Sequence, residues 1–147
     1  MRKWLAYLVM LIGISATAYS QPYGNEWIDF AKTYYKFGVK YDGLVRIPNS
    51  TLLSAGISPF AIVGDDFKLF RNGKEVPIYV STPGLFGSSD YIEFYATPND
   101  QEVDAALFAR PENRINETVS LINDTAYYFL GIYPGLFNSR ITDGVND

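Results

Sequence analysis

The 147 residues include no histidine and no cysteine, so the carboxylates and the aromatic side chains are the first candidates for chemistry. A Ser–His or Cys–His nucleophilic pair is excluded, as are a histidine or thiolate metal site and a disulfide. Carboxylates leave two options, a hard-cation site and an acid–base pair. Asp100, Glu102 and Asp104 alternate in a loop opened by Thr97-Pro98-Asn99, as calcium ligands do. The helix–loop–helix calcium loop also needs Gly at its sixth position and Glu at its twelfth. Counted from Asp100, those positions hold Ala105 and Pro111, so the stretch reads as a solvated acidic loop. Asp90 and Glu93 flank the start of one apolar run, and Asp65-Asp66 precede another. Paired carboxylates serve glycoside hydrolysis only when they face one cleft, and this spacing does not bring them together. The sequence therefore assigns no catalytic, cofactor-binding or metal-binding residue.

Aromatic side chains offer a different chemistry. Tyr34, Tyr79, Tyr91 and Tyr95 fall on the outward phases of the runs that contain them, where a row of rings would suit sugar stacking or a partner domain. The plainer reading is a second packing layer. Asn49, Asn116 and Asn123 each open an Asn-x-Ser/Thr triplet, which becomes a glycan acceptor only on an exposed loop in a host that modifies Asn. Asp124-Thr125-Ala126 overlaps the last of them and matches a bacterial O-glycosylation pattern, although Thr125 opens a run that reads as buried.

These residues are carried on elements with the rhythm of an antiparallel sandwich. Gly, Pro, Asn and Asp recur every eight to twelve residues, with aromatic and β-branched runs between. Residues 33–39 alternate, with Tyr35, Phe37 and Val39 on the core face and Tyr34 and Lys36 opposite. A turn at Tyr41-Asp42-Gly43 leads to a returning second strand at 44–47 that Pro48 ends. A short connector helix is expected at 50–55, capped by Asn49 or Ser50 and stopped by Gly56, with Ile57 folding back on Leu52. Asn72-Gly73 predicts a tight hairpin between 67–71 and 74–80. Val76, Ile78 and Val80 share a face of its second arm, and Pro77 marks an edge or a bulge. Residues 91–95 form a strand with Ile92 and Phe94 inward. Residues 125–132 form another, whose unbroken Tyr127-Tyr128-Phe129-Leu130 implies burial on both faces. The fold class is all-β, a jelly-roll-like antiparallel β-sandwich with one short connector helix.

Residues 1–20 have the pattern of a secretory signal peptide: Arg2 and Lys3, an apolar stretch from Leu5 to Ile14, then small residues. Cleavage follows Ala18 or, preferably, Ser20. An uncleaved anchor is the alternative, but the run is short for a bilayer. Removal leaves 127 residues as a single domain, with ten basic against sixteen acidic residues, a balance of −6. An acidic surface argues against nucleic acid and anionic lipid as partners. No later apolar run offers a transmembrane anchor.

Several segments taken in order resemble a known family. They are Gly24-Asn25-Glu26-Trp27-Ile28-Asp29, Lys32-Thr33-Tyr34-Tyr35-Lys36 and Asp42-Gly43-Leu44-Val45-Arg46-Ile47, then Gly73-Lys74-Glu75-Val76-Pro77-Ile78-Tyr79-Val80. Asp90-Tyr91-Ile92-Glu93-Phe94-Tyr95, Asn99-Asp100 and Asp124-Thr125-Ala126-Tyr127-Tyr128-Phe129-Leu130 follow. This order is similar to the N-terminal region of gingipain-like cysteine peptidases and type IX secretion sortase-like proteins of Bacteroidetes. The resemblance spans most of residues 24–147.

It implies a non-catalytic β-domain that precedes a peptidase domain bearing a His–Cys pair. No family catalytic residue carries over, since this chain has neither type. It also implies export to the periplasm, outer-membrane surface or extracellular space, and a neighbouring peptidase domain or secretion-machinery protein as partner. The chain ends at Asp147, before any catalytic domain, as expected of the N-terminal part of a longer protein or of a short stand-alone relative. A carbohydrate-binding or adhesion module using the outward tyrosines is the alternative function, and a small carboxylate hydrolase is a third.

Overall fold

The computed structural model describes residues 24–100, 104–113, 118–120 and 122–141. The signal peptide expected at 1–20 lies outside them, as do Glu102 and Asn116. Seven described strands form two antiparallel sheets, and one short helix connects them. The strands are β1 (Tyr35–Val39), β2 (Gly43–Pro48), β3 (Phe67–Arg71), β4 (Lys74–Val76), β5 (Tyr79–Val80), β6 (Tyr91–Ala96) and β7 (Ala126–Ile132). The first sheet has the order β1-β7-β3-β4 and the second β2-β6-β5. This is the all-β sandwich with a connector helix that the turn spacing implied.

Period-two patterning turns one face of each sheet inward. Phe67, Leu69, Tyr128 and Leu130 from the first sheet meet Ile47, Ile92, Phe94 and Ala96 from the second. Phe37 stacks on Tyr128 at 5.8 Å between centroids, and Phe94 meets the same ring at 5.0 Å. Each leucine, isoleucine or phenylalanine among them removed from water contributes about 1.5–3 kcal/mol, which is the main force holding the sheets together. Tyr128 spends its one polar atom at the core's edge, donating to Thr97 O at 3.1 Å and accepting from Thr97 N at 3.0 Å.

Turn chemistry sets the register. Asn72 (φ 48°) and Gly73 (φ 77°) are both left-handed, the conformation a two-residue hairpin of matching twist demands, and Arg71 pairs with Lys74. Helix α1 (Asn49–Ser54) stops as expected. Gly56 takes φ 83°, its N–H bonds Leu53 O, and the Ile57 N–H bonds Leu52 O at 3.0 Å. Those are the two hydrogen bonds of a Schellman stop, and both Leu52 and Ile57 enter the core.

Several expectations are corrected. The helix begins at Asn49 with Pro48 as its N-cap, and no side chain caps it. Asn49 is instead 1% exposed and donates from Nδ2 to Gly87 O at 2.8 Å. The run at 74–80 is two strands. Pro77 lacks a ladder donor, and there the chain leaves the first sheet for the second, so β4 pairs with β3 while β5 pairs with β6. Strand β7 is buried on its core face, and on its outer face Phe129 and Gly131 are covered while Tyr127 is 42% exposed. The turn after β1 does not return along it. Strand β1 pairs with β7, and β2 pairs with β6 across the core.

The outer face of the first sheet is covered by the chain's own N-terminal stretch. Trp27 lies over it, with ring centroids 5.0 Å from Phe70, 5.4 Å from Phe129 and 5.4 Å from Tyr34. Tyr34 and Tyr133 share a hydroxyl–hydroxyl hydrogen bond, and Lys32 stands 4.7 Å above the Tyr133 ring. Burial, then the Tyr34 partner, pushes Tyr133 well above the usual phenol range. At the other margin, Arg140 bridges Ile78 in parallel and donates to Asp65 O at 2.5 Å, closing the corner where the chain changes sheets. No helix among the described residues is long and apolar enough to cross a membrane.

Candidate binding surfaces

Five of the carboxylates singled out by spacing make contacts within the fold. Asp100 pairs with Arg71 at 3.2 Å, whereas Asp104 is buried and accepts the Ser120 hydroxyl. Asp90 accepts Ser81 Oγ and Gly87 N, each at 2.7 Å, which shapes the turn that also holds Asn49. Glu93 sits opposite Arg46 in the β2–β6 register and accepts its Nε at 2.6 Å. That bond raises the Arg46 pKa further. Asp65 lies 3.7 Å from Arg140. Among the described residues, no group of three His, Cys, Asp or Glu is arranged to hold a metal ion.

Of the three glycan triplets, Asn49 is enclosed in the fold, Asn116 is outside the described residues, and Asn123 is exposed. Asn123 Oδ1 accepts the Thr125 N–H at 3.0 Å in an Asx-turn. Thr125 Oγ1 is occupied by Asp124 at 2.9 Å, and that bond, helped by Lys40, holds the Asp124 pKa below the ordinary carboxylate value.

The four tyrosines do not make one row. Tyr34 belongs to the layer over the first sheet, and the other three lie on the outer face of the second. There Tyr79 and Tyr91 are neighbours at 6.2 Å, and the Arg46 guanidinium lies 4.0 Å over the Tyr91 ring. Leu44 stands opposite Tyr95, 65% and 60% exposed respectively. A shallow depression of about 280 Å³ is lined by Leu44, Tyr79, Tyr91, Glu93 and Ile141. The two outer faces thus differ: one carries an aromatic lid of its own over Phe70 and Phe129, the other presents Leu44 and Tyr95 to solvent beside the Arg46–Glu93 pair. Exposed apolar area of this kind marks an interaction surface.

A second concavity, about 510 Å³, lies at the end of the sandwich that bears the Asn72-Gly73 turn. Trp27, Tyr127 and Phe129 form its aromatic side, and Asn72, Asn99 and Asn123 contribute amides. The sequence offered no direct signal for it, because it joins residues from five separate stretches. The nearest hint was a tryptophan in a segment with no strand period, which has to pack on something. A Cβ at Gly73 would come within 2.9 Å of Trp27 Cδ1, so the turn glycine also makes room for the indole.

No protein-family model, no curated protein and no solved structure matches this chain.

Proposed function

We propose that the chain is a non-catalytic accessory β-sandwich of an exported protein of the gingipain-like peptidase or type IX secretion sortase kind. It packs through the outer face of its second sheet on a neighbouring peptidase domain. The observation that carries this reading is the difference between the two outer faces. A domain working alone has the same reason to cover both, yet Trp27 and Tyr34 cover only one, and Leu44 and Tyr95 remain exposed on the other. The roles of Asp65, Asp90, Glu93, Asp100 and Asp104 in holding turns and strands support a structural rather than a hydrolytic part. A peptidase surface is the occupant that the segment order suggests.

The test uses a gingipain-like peptidase domain supplied as a separate chain. The parent protein forms a complex with it and cleaves no peptide by itself, whereas Leu44→Lys with Tyr95→Lys abolishes the complex and keeps the parent's far-ultraviolet circular dichroism. Peptide turnover by clean protein that one carboxylate substitution removes would defeat the reading, as would a complex indifferent to the double substitution.

A further inference from the structure

The edges of the two sheets are not equally guarded. Strand β4 has three residues and β5 two, and next to β5 the backbone of Ser139 and Ile141 already bonds Ile78. Strands β1 and β2 are longer, and each stands at the end of its own sheet. An edge strand presents a row of N–H and C=O groups with no ladder partner. Among the described residues, β7 alone pairs with the backbone of β1.

A cleft of about 270 Å³ lies between these two edges, walled by Tyr35 and Phe37 of β1, Val45 of β2, Leu52 of α1 and Ala55 just beyond it. That is below the roughly 300–1,000 Å³ of small-molecule sites, so it suits a few apolar side chains better than a whole compound. The charged residues lining it are Lys36 and Arg46, both cations, in a chain whose formal charge is −4. The two are not equivalent. Arg46 is held by Glu93 at 2.6 Å and lies over Tyr91. Lys36 is exposed, has no carboxylate partner among the described residues, and rests 3.8 Å from the centre of the Tyr127 ring. A ring face attracts an ammonium and still leaves it N–H donors for a carboxylate. Side chains alternate along β1, so a strand added at its edge would set one phase beside Tyr35 and Phe37, at the cleft, and the other beside Lys36.

We propose that β1 is a strand-addition site, which takes from a partner an extended segment apolar on one phase and acidic on the other. The backbone of that segment extends the first sheet, its apolar phase enters the cleft, and its acidic phase pairs with Lys36. The site does not rest on the docking role of the second sheet's outer face.

Four heptapeptides serve as probes, each alternating an apolar residue (Val or Leu) with a charged one (Glu or Lys). Each is titrated into the isotope-labelled chain, with amide shifts giving the affinity and hydrogen exchange locating the site. At least one glutamate peptide is expected to bind with a Kd between about 10 μM and 1 mM, and its lysine counterpart at least about threefold more weakly. Lys36→Glu, with unchanged circular dichroism, should reverse that order, whereas Leu44→Lys with Tyr95→Lys should leave it as it was. Exchange should slow within residues 35–39 on binding and stay the same within 91–96. No shift with either glutamate peptide at about 5 mM would overturn the proposal. So would an order that survives Lys36→Glu, protection confined to the second sheet, or a β1 edge that a second copy of the chain already protects.

Discussion

Substituting Asn49 separates two accounts of one residue. As a helix N-cap, Asn49 would be replaceable by Asp, which caps equally well, at a change of no more than about 0.5 kcal/mol. In the structure it is 1% exposed, its Nδ2 donates to Gly87 O, and its N–H bonds Asp90 O at 3.0 Å. Asn49→Ala removes the side-chain donor and leaves the Gly87 carbonyl without it, which costs about 1–3 kcal/mol. Asn49→Asp, while ionised, sets an acceptor-only carboxylate against the Gly87 carbonyl in a site without solvent. That carboxylate can escape its charge by taking a proton, so the added cost at pH 7 is at most about 4 kcal/mol, the work of protonating an ordinary aspartate there.

The sign of the pH response follows. The introduced carboxyl has its folded-state pKa raised, so its penalty is largest above that value and shrinks as pH falls towards the unfolded value near about 4. Urea unfolding followed by circular dichroism at pH 7 and at pH 5 reads both quantities. An Asn49→Asp protein at least about 2 kcal/mol less stable than the parent at pH 7, with the gap narrowing at pH 5, is the expected result. An Asn49→Asp midpoint equal to the parent's at both pH values would refute the reasoning and restore the cap.

Other outcomes follow from the same packing. Gly64→Ala would set a Cβ 1.8 Å from Thr82 O and 2.9 Å from Val80 Cγ1. Because backbone must move, a loss of about 3 kcal/mol is expected in a denaturant titration. Tyr128→Phe keeps the stacked ring and strips both Thr97 bonds, so it should cost about 1–3 kcal/mol while leaving the near-ultraviolet dichroism of the remaining aromatics largely intact. Tyr133 keeps its proton in the folded chain after an exposed phenol has lost it. Its contribution is therefore constant below about pH 10 and declines above it, and Tyr133→Phe should flatten that alkaline decline in urea midpoints.

What could be read in the sequence was local. Asn72-Gly73 demands left-handed backbone at two adjacent residues, and few structures other than a hairpin supply it. Gly56 with Ile57 carries the whole stop signal of α1 in two residues, and alternation identified Ile92 and Phe94 as core without reference to anything distant. Period two says which face a side chain takes but not which sheet its strand joins. The hairpin arm that changes sheets at Pro77 and the turn that carries the chain from β1 to β2 were therefore hidden. Asn49 has ordinary N-cap sequence context, and its actual partner is Gly87, 38 residues away. Trp27 belongs to no strand, so neither the lid over the first sheet nor the groove beside it follows from any pattern, although both depend on that one ring. The outward tyrosines were correctly placed on outer faces, but on two different ones.

The central proposal is that one outer face is covered by the chain itself over Phe70 and Phe129 and that the other is left for a partner. Hydroxyl-radical footprinting of the chain, free and bound to the peptidase domain, tests it most directly. The expected result is ready labelling of Leu44 and Tyr95 in the free chain, low labelling of Phe70 in both states, and protection of Leu44 and Tyr95 on binding. Heavy labelling of Phe70 in the free chain, or a complex that leaves Leu44 and Tyr95 as reactive as before, would contradict it.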